Sequence, residues 1–225
     1  MTQSTVDSPP VEGQKPAALG DLGWEVHKKI EELQREYLAK FSRARAQLAR
    51  LRRGLGKPAG SVPEIWELTI GLVPPSLVSR GDAPSRAEQA AHAAMTLYAL
   101  HQQSQTVPIH KPGERFGTAV RRLRAEKSRE EAVTRRFMAV ATAQSIDELL
   151  FHVRGLITQL RREKHGLDYA MFADDIHKLL TPGREIGVRL AWGRDFYRTT
   201  SGKDAGNDTT ESSDSTATSD SDDDK

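Results

Sequence analysis

Guanidinium groups are the most concentrated chemistry in this sequence. From Arg115 to Arg136 the chain reads RFGTAVRRLRAEKSREEAVTRR, eight Lys or Arg against three Glu. A guanidinium is a flat fork of donors that matches phosphate oxygens, so a helix face covered with them suits a nucleic-acid backbone. The plainer reading of the same residues is a solvated helix face. Phe116, Ala119, Val120 and Leu123 recur at helical spacing and make one apolar stripe. Arg121 then points almost directly away from that stripe, with Arg122 and Arg124 on its flanks. In the next segment Val133, Phe137 and Val140 make a second stripe, with Arg135 opposite it and Arg136 beside it.

Other groups with chemical potential are smaller. Arg50, Arg52 and Arg53 fall in the last helical turn before Gly54, where cations also favour the negative end of the helix dipole. The segment IHKPGERFG places His110 and Lys111 in a loop before a helix. Its amides and Lys111 can meet a phosphate, or the segment can simply turn the chain. Asp174, Asp175 and His177 are the compact acidic and imidazole group. A metal-dependent nuclease can use such residues, and a solvated helix face explains them as well. His92, His101 and His110 are nine apart, which is not a ligand pair on one helix face, and read as surface or partly buried polar residues. No phosphate loop, dinucleotide fingerprint, nucleophile elbow or zinc pattern is present. The expectation is a protein with no catalytic site, no metal and no cofactor.

The elements that must carry these groups are helices. Periodicity starts near Trp24 and continues through Ile30, Leu33, Tyr37, Phe41, Leu48 and Leu51. Ser42 stands where a second helix could be capped, so one long helix or two are both open. Four Ser-x-x-Glu patterns read as capping boxes: Ser61 with Glu64, Ser85 with Glu88, Ser128 with Glu131, and Ser145 with Glu148. The first opens a short helix with Ile65, Trp66 and Thr69 that stops before Pro74, and a Pro/Gly-rich loop covers 73–84. The second opens the stretch AEQAAHAAMTLYALHQQ, whose small residues let neighbouring helices approach and mark the core of the first half.

The third pattern opens Glu130 to Thr142 and the fourth Ile146 to Lys164, with Gly166 as terminator. In the latter, Ile146, Leu149, Leu150, Val153, Leu156, Ile157 and Leu160 form the cleanest stripe of the chain. Asp168 caps a helix through Leu180. Ile186, Val188, Leu190 and Trp192 alternate like a strand, but no second strand exists to pair with them, so 184–198 is predicted as a final helix.

Composition bounds what such a chain can be. Its 225 residues suffice for one domain or two small helical ones. The absence of cysteine excludes disulfides and thiolate metal sites and is compatible with a reducing cytosol. No apolar run approaches a membrane span, and the start MTQSTVDSPP lacks the apolar core of a signal peptide. Residues 199–225 carry two Lys against seven Asp and one Glu, a net −6, so the remaining 198 residues carry +8 of the total +2. A moderately basic body with an acidic tail is the better description. Aromatics are 6% of the chain, too few for a base-stacking platform, so nucleic acid would be held mostly through phosphates.

Taken in order, several segments carry a family resemblance: ARLRRGLGKP, PEIWEL, AAHAAMTLYALHQQS, IHKPGERFGTAVRRL, EEAVTRRFMAVATAQSIDELLFHVRGLITQLRR, LDYAMFADDI and WGRDFYR. From about Trp24 to Arg198 the chain resembles CasB, the small subunit of the type I-E CRISPR surveillance complex Cascade, and most of all its actinobacterial members. The succession and spacing carry the likeness, because the family has no catalytic signature. The resemblance implies an all-α protein of two small helical bundles without enzymatic activity. On this chain the bundles would be a 21–112 subdomain and a 113–198 subdomain, between a disordered 1–20 and a disordered acidic tail, 199–225. It also implies a cytoplasmic antiviral-defence protein that lies beside other Cascade subunits and a second copy of itself. Guide RNA and both the target and the displaced, non-target DNA strands would be its nucleic-acid partners, held so that the R-loop persists. Carried onto this sequence, the contact residues are Arg52, Arg53, His110, Lys111, Arg135, Arg136 and Arg154, joined by Arg121 and Arg122 from the basic run. The acidic tail lies outside the family pattern and is expected to aid solubility. The competing reading from the residues alone is a free-standing helical DNA-binding regulator, which would need a recognition helix.

Overall fold

The computed structural model describes residues 19–125 and 127–198, without the side chains of Lys127 and Ser128. The expected disordered N-terminus and acidic tail lie outside these residues, except that Leu19 and Gly20 are described and Leu19 is buried. Eight α-helices follow in order among the described residues: α1 (Asp21–Leu38), α2 (Ser42–Arg53), α3 (Arg86–Gln102), α4 (Phe116–Arg122), α5 (Lys127–Thr142), α6 (Ile146–Arg162), α7 (Tyr169–Leu179) and α8 (Glu185–Tyr197). Three 3-10 turns, Pro63–Leu68, Ile70–Leu72 and Pro75–Leu77, connect α2 to α3. No strand occurs among the described residues; a single parallel bridge joins His110 to Leu167.

Local chemistry explains most of these boundaries. Ser85 and Glu88 form the complete reciprocal capping box at the start of α3. Ser145 accepts from the Glu148 amide at 3.1 Å, while the Glu148 carboxylate turns back one residue further, to the Gln144 N–H at 2.8 Å. Asp168 accepts from Ala170 and Met171 and so caps α7 as expected. The other two serines do not stand at the start of a helix. Pro63 starts its turn from Val62, and the Ser61 hydroxyl donates instead to the Pro58 carbonyl. α5 already begins at Lys127, so Ser128 is inside the helix rather than before it. The break after α1 gives two helices, with Lys40 in the left-handed region at φ 67°. Phe41, not Ser42, is the residue preceding α2, and it is exposed rather than part of the buried stripe.

The core is one continuous cluster of buried side chains from Leu22 to Phe196, drawing on both of the expected bundles. α3 sits at its centre, buried nearly all round, as its alanines allow. α7 packs against both α1 and α3, α4 against α8, and α5 against α6. The final helix is resolved by burial: Val188, Trp192 and Phe196, four apart, face inwards, while Ile186 and Leu190 are exposed. Trp192 stacks flat on Phe172 and tilts against Phe116, closing the end of the bundle. Gly117 is required where α4 crosses α8, because a Cβ there would overlap the Trp192 carbonyl and stand 2.8 Å from Asp195 Cβ.

Candidate nucleic-acid interface

α6 organises the candidate cations. Its stripe of Leu149, Val153, Leu156, Ile157 and Leu160 is buried, so Phe151, Arg154, Gly155 and Arg162 face outwards. A Cβ at Gly155 would meet nothing within 4 Å, which makes this an open surface. Cations from three other places in the chain stand at different points along α6. The Arg154 guanidinium reaches over the loop after α2, 3.8 Å from where a Gly56 Cβ would be. Arg52, half-buried at the end of α2, has a pKa lowered by burial, and Arg161 of α6 is close enough to add to that lowering against the opposing charge of Tyr37. On α5, Arg136 lies against the Gln159 side chain, with Nη1 2.9 Å and Nε 3.2 Å from its oxygen when the amide is turned to accept. At the far end of α6, the His165 imidazole is pushed down by burial first, then by Arg122, with Lys111 acting the same way and Glu163 and Glu114 opposing.

The nine expected contact residues therefore fall into unequal groups. Arg53 and Arg154 are exposed, and neither has a carboxylate partner among the described residues. Lys111 is exposed, while its stem fills the space beside Gly166. Arg121 is tied to the Arg198 carbonyl. Arg122 pairs with Glu114 at 2.7 Å. Arg135 meets Glu131 at 3.5 Å, with both side chains largely in solvent, so that pair is weak. Within the basic run, Arg124 pairs with Glu130, and Arg115 with Asp195 at 2.9 Å. The run from Arg115 is thus more neutralised than its composition suggested. Less-paired charge lies where α2, its following loop and α6 meet. Lys57 is exposed in that region, and Arg161 lies there too but donates to the Leu100 carbonyl at 3.3 Å and the Gln103 side-chain oxygen at 3.1 Å; neither was among the expected residues. For Arg161 the last-turn position on α6 was the available signal; for Lys57 there was none beyond its place in GLGKP.

His110 is not a surface cation. Its side chain is fully buried, and its Nδ1 accepts the Tyr169 N–H at 3.1 Å. Burial pushes the imidazole down to about 4, against the pull of Asp168. His92 and His101 are buried too, contrary to the surface or partly buried expectation, because each finds a polar partner inside: the Gly54 carbonyl at 3.0 Å and the Tyr169 hydroxyl at 2.9 Å. His27, Glu31 and His110 do bring ligand atoms within 4.8 Å of one another. That donor set nevertheless does not fit a cation. With Nδ1 accepting from a backbone amide, neutral His110 carries its proton on Nε2, the atom that would face the ion. That Nε2–H instead donates to His27 Nδ1 at 3.0 Å.

The acidic group on α7 is likewise structural. Asp174 is buried and accepts from Gly20 at 2.6 Å and Gly23 at 2.9 Å, capping α1 from about 150 residues away. Asp175 turns the other way and accepts from the Trp192 indole at 2.7 Å, with burial pushing its carboxyl up. The two carboxylates serve opposite neighbours and do not converge on one ion.

The fold and site define a class: an all-helical body with dispersed cations and, among the described residues, no convergent acid, base and nucleophile. Residues 47–197 match the family model described as CRISPR-associated protein Cse2. The chain belongs to this Cse2, or CasB, family. It is similar to CasB from Thermobifida fusca, at 36% identity over 80% of this chain and 99% of that one, with a TM-score of 0.66. The fold is shared with a Cse2-family protein from Thermus thermophilus, at 24% identity, coverage of 76% and 97%, and a TM-score of 0.55. It is also shared with CasB from M. ruber, at 20% identity, coverage of 73% and 92%, and a TM-score of 0.50. No curated protein matches the sequence. No helix among the described residues is long and apolar enough to cross a membrane.

Proposed function

We propose that this protein is the non-catalytic small subunit of a type I-E Cascade complex in the cytoplasm, holding nucleic acid through phosphates without reading its sequence. The observation that carries this is the Cse2 match over 47–197, supported by the cations spread along α6. In the complex it lies beside the other Cascade subunits and a second copy of itself. There it steadies guide RNA paired to target DNA, and the displaced strand, in the R-loop. Strand exchange in an R-loop is nearly balanced, so a few backbone contacts can tip it. Weak contacts suffice because the assembly holds the partner nearby. Arg52, Arg53, Arg154 and Lys111 are the contacts we favour, with Arg121, Arg122, Arg135 and Arg136 in a lesser role because each already has a partner. A free-standing regulator would have to present a recognition helix, and α4, with its seven residues and engaged arginines, offers poor support for one.

The test is R-loop lifetime in the assembled complex, together with free binding of single-stranded DNA across a salt series. Four phosphate contacts predict a logarithmic salt slope of about −3. Arg52→Ala with Arg154→Ala should shorten the R-loop lifetime and flatten that slope by about 1.4. Unchanged lifetime and slope in a folded variant would overturn the assignment of those residues.

A further inference from the structure

A groove of about 700 Å³ opens between the loop after α2, α3, the first half of α6 and the end of α7. Its walls include Leu55, Ala93, Leu97, Leu150 and Leu180. Phe151 stands on it with 73% of its surface exposed, although it lies off the buried stripe of α6, where a polar residue would cost nothing. One turn further along is Arg154, whose guanidinium reaches over Gly56, and Lys57, the residue after Gly56, also lines the groove. Both cations are exposed and have no carboxylate partner among the described residues.

We infer that this groove is a subsite for one unstacked nucleobase of a single strand, with Phe151 as its stacking ring and Arg154 and Lys57 on the adjoining phosphates. The inference rests on the phosphate-holding reading above and adds to it a contact with the base plane. The volume lies within the range of small-ligand sites, and the lining is apolar with a few polar groups at the rim, as such sites are. Charge selects the occupant. A nucleotide unites a flat aromatic plane with an anion one bond network away, and the groove places a bare ring within one helical turn of an unpaired guanidinium. An apolar peptide would fill the walls and leave both cations unanswered. Asp147, also on the groove and one turn before Phe151, keeps phosphate to the Arg154 side. Stacking against Phe151 is indifferent to base identity, since every base has a π face. The low aromatic content of the chain excludes a stacking platform but not this single ring.

The experiment compares the full chain's affinity for labelled oligo-dT with that for an abasic oligomer of equal length and charge. The wild type should bind oligo-dT about tenfold more tightly. Phe151→Ala should bring that ratio close to one while leaving the salt slope unchanged, and Phe151→Trp should preserve it. Arg154→Ala should weaken both oligomers alike and flatten the slope by about 0.7. A ratio near one in the wild type, or one that survives Phe151→Ala, overturns the subsite while the phosphate reading stands. A Phe151→Ala chain that keeps the ratio but falls out of the assembled complex assigns the ring to a protein neighbour instead. Failure of both oligomers to bind at low salt overturns the phosphate reading and the subsite with it. Because Phe151 is mostly in solvent, its replacement leaves the core intact, which circular dichroism checks.

Discussion

Replacing Asp174 with Ala separates a structural carboxylate from a chemical one. Asp174 is 6% exposed and accepts two amide hydrogen bonds, from Gly20 and Gly23, at the start of α1. Hydrogen bonds to a charged group contribute roughly 1.5–3 kcal/mol each, and loss of an N-cap typically costs about 1 kcal/mol. The two bonds share one acceptor and one helix end, so they are not additive. Truncation also leaves the Gly23 N–H without an acceptor in the interior. About 3 kcal/mol is therefore the expected cost of Asp174→Ala. For a chain of this size each kcal/mol lowers Tm by roughly 2–4 °C, so the melting point should fall by about 6–12 °C. Urea unfolding followed by far-ultraviolet circular dichroism gives the free energy, and a plasmid-nicking assay with Mg²⁺ runs in parallel. The remote cap predicts lost stability and no nicking in either protein. A variant as stable as the wild type, or wild-type nicking that disappears on Asp174→Asn with stability unchanged, would refute the reasoning.

The remaining expectations concern acid stability and packing. His101 and His110 are held neutral by burial, at about 3 and about 4, below their ordinary value of 6.5. The unfolded chain takes up protons at these positions from pH 6.5 downwards while the folded chain does not. Their contribution is therefore intact above pH 6.5 and declines by about 1.4 kcal/mol per pH unit for each group as pH falls towards 4. These two groups should contribute about 4 kcal/mol to the difference in unfolding free energy between pH 7 and pH 5, and His110→Gln should remove about half of that two-group share. His92, His165 and His177, also lowered by burial, add to the difference in the same sense. Asp175, whose carboxyl burial raises, acts in the opposite sense and trims the fall. Gly117→Ala should cost about 1–3 kcal/mol in thermal unfolding, since the new methyl meets the α8 backbone and not a movable side-chain end.

The sequence by itself determined most of the helices and the buried faces of those with a clear apolar stripe. Periodic stripes are a local property, and so are the caps at Ser85, Ser145 and Asp168, whose partners lie within four residues. That is why the buried faces of α4, α5 and α6 were legible, and why α8 could be recognised once no partner strand was found. The succession of segments likewise carried the family. What only the tertiary structure decided is where polar groups spend their hydrogen-bonding capacity, because that depends on neighbours far along the chain. The sequence places Asp174 beside Asp175; the fold sends one to α1 and the other to α8. His110 reads as a loop cation, but Tyr169, 59 residues away, makes it a neutral internal acceptor. Arg122 looks free until Glu114 is folded against it. Charge on a helix face is written in the sequence, whereas whether that charge is still available to a partner is settled only when the helices pack.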